Sequence, residues 1–191
     1  MSNAALINDL QKNDKAAIRS LFESWYGRLA AISARYAKNQ QQADDMLMAA
    51  FHNVVNKIKL HRDPSVILPD NFIEREFIAE CIAFIKNIRS EYYVSSTVYA
   101  TTPGPAKNYD LFEDNEVISF KNLDKELLLR SLQQMVPSQR LVYNLHVIEG
   151  YSVSETATLL ESSQETVKSN LEKSRFNFQK NIEKSLKTTR A

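Results

Sequence analysis

The sequence predicts an all-α protein of two helical domains joined by a linker. Only three glycines and five prolines occur in 191 residues, so the turn residues that β-hairpins need are scarce. Ala, Leu, Lys, Gln and Glu, which favour helices, are abundant, and apolar residues recur three or four positions apart, the spacing of one helix face. The length exceeds one typical domain of roughly 100–150 residues and fits two small ones.

Residues 1–93 are predicted to form an N-terminal helical bundle. Polar stretches interrupt the apolar stripes at Gln11 to Lys15 and at Asn39 to Gln42, so each is expected to separate two helices. The last helix is expected from Phe72 to about Tyr92, after a loop bracketed by prolines.

Residues 94–120 are predicted to be an interdomain linker. Ser, Thr, Tyr and Pro are frequent in the stretch, and acidic residues gather towards its end. Because a loop of this length is uncommon within a compact domain, it indicates a boundary.

Residues 121–191 are predicted to form a C-terminal helix-turn-helix domain. In the first part, Leu128, Leu132 and Met135 share one helix face. The next helix begins at Pro137, because proline suits the first helical position, and it ends at Gly150.

Two helix starts follow that glycine. Ser152 and Glu155 have the spacing of a capping box, which predicts a short helix over about 153–160. Ser162 and Glu165 repeat the pattern and predict the start of a second helix, whose buried side is expected to carry Val167, Leu171, Phe178 and Ile182. Two helices joined by a tight turn form a helix-turn-helix, in which the second helix enters the DNA major groove.

The second of these helices is rich in positive charge. From residue 166 to the end of the sequence, seven basic and two acidic residues give a net charge of +5. In a major groove, cations would contact phosphates and polar side chains would reach base edges. The same charge is also compatible with a solvated helix face. The residues predicted to contact DNA are Gln164, Lys168, Ser169, Asn170, Lys173 and Arg175.

Short motifs follow one another in a fixed order between Met135 and Arg175. They are Pro137, Glu149-Gly150-Tyr151-Ser152, Glu155-Thr156-Ala157, Thr166-Val167-Lys168-Ser169 and Lys173-Ser174-Arg175. The series resembles the promoter-reading C-terminal domain of the extracytoplasmic-function (ECF) sigma factors of bacteria. The resemblance adds Thr166 to the DNA contacts with the upstream promoter element.

The N-terminal unit resembles the other domain of that family, through Ala43-Asp44-Asp45 and Phe51. The resemblance implies that Asp44, Asp45 and Phe51 bind polymerase, although a plain core helix also explains the pattern. It further implies contacts of Lys86, Asn87 and Arg89 with the downstream promoter element.

The resemblance implies a sigma factor, which is not an enzyme and which directs core RNA polymerase to promoter DNA for transcription initiation. Family members are commonly held inactive by an anti-sigma factor, which is therefore an expected partner. Glu161 and Glu165 stand where the family commonly has glycine. Because left-handed backbone is uncommon outside glycine, the turn at Glu161 is expected to have a different geometry.

No catalytic or cofactor site is predicted, and no metal site. His52, His61 and His146 are scattered without paired cysteines, and Cys81 lies in an apolar helical stripe, where it is expected to be a core residue. The helix macrodipole explains acidic residues at a helix start, as at 44–45. The single cysteine and the lack of an apolar run of roughly 20 residues predict a cytoplasmic protein without membrane insertion.

Two other functions remain compatible with the residues. One is a sigma-like DNA-binding regulator that does not recruit polymerase. The other is a helical protein-interaction module whose basic C-terminus binds an acidic partner.

Overall fold

The computed structural model describes residues 3–60, 71–88 and 123–189, with the side chains of 7–60, 71–88 and 123–187. Within these ranges every regular element is a helix, which confirms the predicted all-α class. The chain divides into two compact units, residues 1–87 and 88–191. The predicted linker at 94–120 and the proline-bracketed loop lie outside the described residues, so the domain limits stay a prediction.

The N-terminal unit contains four α-helices. They are α1 (Asn3–Gln11), α2 (Lys15–Tyr36), α3 (Gln40–Lys59) and α4 (Phe72–Asn87). Helix α3 is central and packs against the other three. Its buried stripe includes Met46, Ala50 and Val54, which lie four residues apart as one face of a helix requires. Cys81 of α4 is buried in this core, as predicted.

Capping residues explain where α2 and α3 begin. The Asp14 carboxylate accepts from the backbone N–H of Ala16 at 2.8 Å, and Asn39 Oδ1 accepts from the N–H of Gln42 at 2.9 Å. Both predicted interruptions are therefore confirmed, but the second is shorter than expected. Because Asn39 alone caps the helix, the three glutamines after it form the first turn of α3.

The C-terminal unit is built around one long helix. Its elements are α5 (Lys125–Gln133), α6 (Pro137–Tyr143), a π-helical turn (Asn144–Ile148), α7 (Val153–Leu160) and α8 (Gln164–Thr189). Helix α8, of 26 residues, packs against α5, α6 and α7. The predicted α8 stripe of Val167, Leu171, Phe178 and Ile182 is buried, which confirms the orientation of this helix.

The helix from Pro137 ends before Gly150, as predicted, but its last part is not α-helical. Residues Asn144–Ile148 form a π-helical turn, and the Glu149 N–H donates to Asn144 O at 2.9 Å. Gly150 then takes a φ of 79°, a left-handed conformation that glycine adopts without a Cβ clash. The chain can therefore turn sharply before α7.

Polar side chains fix the position of α8 in this unit. Asn177 Nδ2 donates to Gln139 Oε1 at 2.7 Å, and Asn181 Nδ2 donates to Ser131 O at 3.0 Å. Arg140 is 1% exposed, and its Nη1 donates to two carbonyl oxygens at the end of α5, of Gln133 at 2.9 Å and of Met135 at 2.7 Å. The two asparagine bonds join α8 to α6 and α5. The Arg140 bonds join α6 to the end of α5.

Candidate nucleic-acid interface

Helix α7 begins with the predicted capping box. Ser152 Oγ accepts from the N–H of Glu155 at 3.2 Å, and the Glu155 carboxylate accepts from the N–H of Ser152 at 2.8 Å. Two backbone donors that the first turn leaves without a helical partner are thereby satisfied. The start of the first helix of the motif is fixed by local sequence.

The turn after α7 keeps the left-handed geometry, contrary to expectation. Glu161 has φ 54° and ψ 46°, and the N–H of Ser162 donates to Ala157 O at 3.0 Å. The expectation of a different geometry at Glu161 was wrong because a helix that ends in this turn needs a left-handed residue there. A glutamate in this conformation carries a strain of about 1–2 kcal/mol relative to a right-handed one.

The cap of α8 lies one residue later than predicted. Ser163 Oγ accepts from the N–H of Thr166 at 3.1 Å and lies 3.0 Å from Thr166 Oγ1. The predicted pairing of Ser162 with Glu165 was therefore wrong, because the left-handed turn uses Ser162 to close α7. Residue 166, rather than 165, occupies the third helical position.

Helix α8 presents a polar face opposite its buried stripe. Successive residues of an α-helix lie about 100° apart around the axis, so Thr166, Ser169 and Lys173 share one side. All three are exposed, and this side points away from Val167 and Leu171 in the core. The structure therefore brings three of the seven predicted DNA contacts together on one outward face.

The other predicted contacts lie at the edges of that face. By the same spacing Gln164, Lys168 and Arg175 share one edge of α8, and all three are exposed. Arg175 is near Tyr143 of α6, whose pKa is raised by burial and partly lowered by the positive charge of Arg175. Asn170 lies at the opposite edge and is half-buried, so it is the least accessible of the set.

Acidic residues also lie on the exposed side of α8. Glu165 and Glu172 are both exposed and are seven residues apart, so they lie nearly one above the other. Their charge partly offsets that of the lysines and of Arg175 on this helix.

The predicted polymerase contacts on α3 differ in exposure. Asp44 and Asp45 are exposed, and they accept from Gln40 at 2.7 Å and Gln41 at 3.1 Å, one turn earlier. Phe51 is only 6% exposed. Its ring is 4.9 Å from that of Phe22 in an edge-to-face arrangement, so Phe51 fixes α3 against α2.

The predicted contacts with the downstream element lie at the end of α4. Lys86 is half-buried and Asn87 is exposed, whereas Arg89 lies outside the described residues. The role of the three residues stays a prediction.

Among the described residues no three His, Cys, Asp or Glu side chains are grouped so that they could hold a metal ion. Nor does any described helix combine the length and apolar character that crossing a bilayer needs.

Comparison with known proteins identifies the C-terminal unit. The family model for sigma-70 region 4 matches residues 125–175, which run from the start of α5 through the exposed part of α8. The C-terminal unit therefore contains a sigma-70 region 4 domain.

One solved structure shows a related fold. The sigma factor RpoE from Bartonella quintana, in complex with the anti-sigma factor NepR, is 14% identical with a TM-score of 0.53, and the match covers 86% of this chain and 96% of that chain. CnrH, in complex with the cytosolic domain of CnrY, is 14% identical with a TM-score of 0.45, and that match covers 95% of this chain and 97% of the CnrH chain. No curated protein sequence matches this chain.

Proposed function

We propose that this protein is an ECF sigma factor that directs core RNA polymerase to promoters for transcription initiation. It recruits the polymerase through α3 and reads the upstream promoter element with the outward face of α8. The observation that carries the DNA-binding part is the common exposure of Thr166, Ser169 and Lys173 at the capped second helix of a helix-turn-helix. Such a helix places its N-terminal residues at base edges of the major groove.

The basic residues on α8 supply the electrostatic part of DNA binding. Lys173 on the outward face, and Lys168 and Arg175 at its edge, are placed for contacts with phosphates. All three are exposed, and Lys168 also lies within electrostatic reach of the Glu165 carboxylate on the same helix.

The polymerase-binding part of the proposal rests on the first half of α3. Asp44 and Asp45 give this surface a negative charge, and Met48, one turn after Asp44, is 61% exposed beside them. A charged patch with an exposed apolar residue is suited to a protein partner, because charges guide encounter and apolar burial stabilises the complex. Phe51 supports the patch from inside.

A pull-down of purified core RNA polymerase tests the recruitment. The double variant Asp44→Asn and Asp45→Asn is expected to lose most of the binding, since it removes both charges and keeps similar side-chain shapes. Glu23→Gln is the control, because it removes an exposed charge from α2 of the same unit. Phe51 is left unchanged, because its burial means that substitution would disturb folding.

Each result has a distinct meaning. Loss of binding by the double variant alone supports recruitment through α3, provided that its thermal unfolding matches that of the wild type. Equal binding by both variants would contradict the assignment of Asp44 and Asp45. Failure of the wild type to bind polymerase would favour a DNA-binding regulator.

We also propose an anti-sigma partner for the N-terminal unit, which the resemblance implies and the complex of the Bartonella sigma factor illustrates. A shallow hollow of about 290 Å³ between α2 and α3 supports this anti-sigma proposal. Its lining includes the apolar Ile18, Phe22 and Met48 and the basic Lys15 and Arg19. An acidic, amphipathic partner segment fits this lining. Arg19→Glu, on α2 and outside the proposed polymerase surface, should raise the concentration of such an acidic partner needed to block polymerase pull-down, and an unchanged concentration would exclude this surface.

The remaining parts of the proposal concern chemistry and location. Sigma factors are not a family of enzymes, and we assign this one a binding role with no catalytic step, in the cytoplasm.

Contact of Lys86, Asn87 and Arg89 with the downstream element belongs to the same proposal. Promoter opening measured with Asn87→Ala tests it, and unchanged opening would contradict a role for this side chain.

A further inference from the structure

We propose that Met48 is an oxidation site, and that its conversion to methionine sulfoxide weakens the binding of core RNA polymerase to α3. The inference rests on the proposed function, because it requires the first half of α3 to contact polymerase. It adds a redox-sensitive control to that function, with hydrogen peroxide as the oxidant and the Met48 thioether as the group that reacts.

Met48 differs from the other described sulfur-containing residues in its exposure. The residue is 61% exposed, whereas Met46 is 0% and Met135 is 4% exposed. Cys81 is also 0% exposed, in the core of the N-terminal unit. Oxidation of sulfur in a protein follows its exposure to the oxidant. Among the described side chains, Met48 is therefore the one whose sulfur a dissolved oxidant can reach.

The reaction needs no group besides the thioether and the oxidant. The Met48 sulfur attacks one oxygen of hydrogen peroxide, so a sulfur–oxygen bond forms as the oxygen–oxygen bond breaks. Sulfur loses two electrons, and the proton of the transferred oxygen passes to the leaving hydroxide, which departs as water. Methionine sulfoxide reductases return the sulfoxide to the thioether, so the change is reversible.

Met48 lies where a new polar oxygen alters what the surface can bind. It lines the hollow between α2 and α3 together with the apolar Ile18, Phe22 and Phe51. A partner that covers the thioether removes apolar surface from water, which stabilises the complex. A sulfoxide oxygen must lose its bound water to be covered, which costs free energy unless the partner supplies a donor. Oxidation therefore opposes docking at this point.

Two basic side chains of the same hollow can donate to the sulfoxide oxygen. Lys15 and Arg19 are part of its lining. Both offer N–H donors and no acceptor, and a sulfoxide oxygen is an acceptor. A hydrogen bond from either one would hold the oxidised Met48 side chain over the hollow. The apolar lining would then be covered by a polar group of the chain itself.

Oxidation at this position is expected to change binding without unfolding the N-terminal unit. Successive residues of a helix lie about 100° apart, so Met48 points about 200° away from Met46 around the axis of α3. Met46 belongs to the buried stripe of this helix, and Met48 lies outside it. The contacts that hold α3 in the core therefore do not depend on the state of the Met48 sulfur.

The experiment treats the full chain with hydrogen peroxide, removes the peroxide with catalase, and then measures capture of purified core RNA polymerase. Peptide mass spectrometry quantifies the addition of one oxygen at each methionine. Wild type is compared with Met48→Leu, which removes the sulfur and keeps a similar apolar volume. Each protein is referred to its own untreated form, so any change in the basal binding of the variant cancels.

We expect Met48 to be oxidised before Met46 and Met135. Wild type oxidised at Met48 should bind polymerase about 5- to 20-fold more weakly, if the loss equals the share of methionine burial that its exposed part can contribute. Treatment with methionine sulfoxide reductase should restore this binding. Peroxide should leave the binding of Met48→Leu equal to that of its own untreated form.

Several outcomes would overturn the inference. They are equal oxidation rates of the three methionines, undiminished binding by wild type oxidised at Met48, and an equal loss in Met48→Leu. A lowered thermal midpoint of the oxidised wild type would also overturn it, because the loss would then come from unfolding. If untreated wild type captures no polymerase, recruitment itself fails and the control falls with it. Capture by untreated protein with no effect of peroxide refutes the control alone.

Discussion

Removal of one lysine from the outward face of α8 is predicted to change how steeply DNA binding depends on salt. Lys173 is exposed beside Ser169 on that face. If it contacts a phosphate, its replacement by glutamine removes one released counterion. The slope of log K against log salt should then become less negative by about 0.9.

The size of the effect follows from the number of basic residues that can reach phosphates. With Lys168, Lys173 and Arg175 in contact, the slope is about −2.7, and affinity falls about 40-fold between about 50 and 200 mM salt. With Lys173→Gln the slope is about −1.8, and the fall is about 12-fold. Fluorescence anisotropy with a labelled duplex measures both values, and the thermal midpoint of the variant checks its folding.

The control is Lys125→Gln, which removes an exposed lysine at the start of α5. Its slope should equal that of the wild type, because α5 does not belong to the proposed interface. Equal slopes for wild type and Lys173→Gln would refute the placement of Lys173 on a phosphate. A reduced slope in the Lys125 variant would show that a different face of the unit binds DNA.

Three further predictions concern stability, each measured as the free energy of unfolding in urea. Thr156 is fully buried and its Oγ1 has no hydrogen-bond partner within the described ranges, so Thr156→Val should stabilise by about 1 kcal/mol; destabilisation would reveal a partner. Glu161→Gly should stabilise by up to about 1 kcal/mol by removing left-handed strain, and a loss would show that other contacts of the glutamate outweigh it. Burial raises the pKa of Glu80, but hydrogen bonds from Lys57 and Asn53 outweigh it and hold that pKa below its ordinary value of 4.5. The interaction of Lys57 with the ionised Glu80 carboxylate therefore stabilises the fold above the ordinary pKa of Glu80 and is lost as the pH falls through the lowered pKa. Lys57→Gln should lower the free energy of unfolding by up to about 1 kcal/mol at pH 7 and by little at pH 3. An equal loss at both pH values would contradict this role of Glu80.

Local signals in the sequence were sufficient for most helix boundaries. The Ser152 and Glu155 box and Pro137 act within one turn, so their effect can be read from adjacent residues. The apolar stripe of α8 also predicted the buried side correctly, because a long amphipathic helix has one face that can enter a core. The apolar stripe therefore also determines which side of α8 is polar and exposed.

The missed features depend on contacts that are distant in sequence or on small shifts of register. Arg140 was not predicted to be buried, because its hydrogen bonds go to carbonyl groups of the preceding helix end. The partner that covers Phe51, the ring of Phe22, lies in another helix and could not be named from the local pattern, and contact of Phe51 with polymerase stays a prediction. At the start of α8, two adjacent serines offered alternative caps, and the backbone of Glu161 selected the second.

The hydrogen bonds of two asparagines in the second half of α8 fix the rotation of this helix about its own axis. Asn177 and Asn181 hold α8 to Gln139 and to the backbone of Ser131, several turns away from the residues that would read bases. Rotation of a helix by a few degrees at these anchors moves every outward side chain by the same angle. The azimuth of the reading face is thus set by side chains that touch no nucleotide, and promoter preference could drift through substitutions at the anchors while the reading residues stay the same.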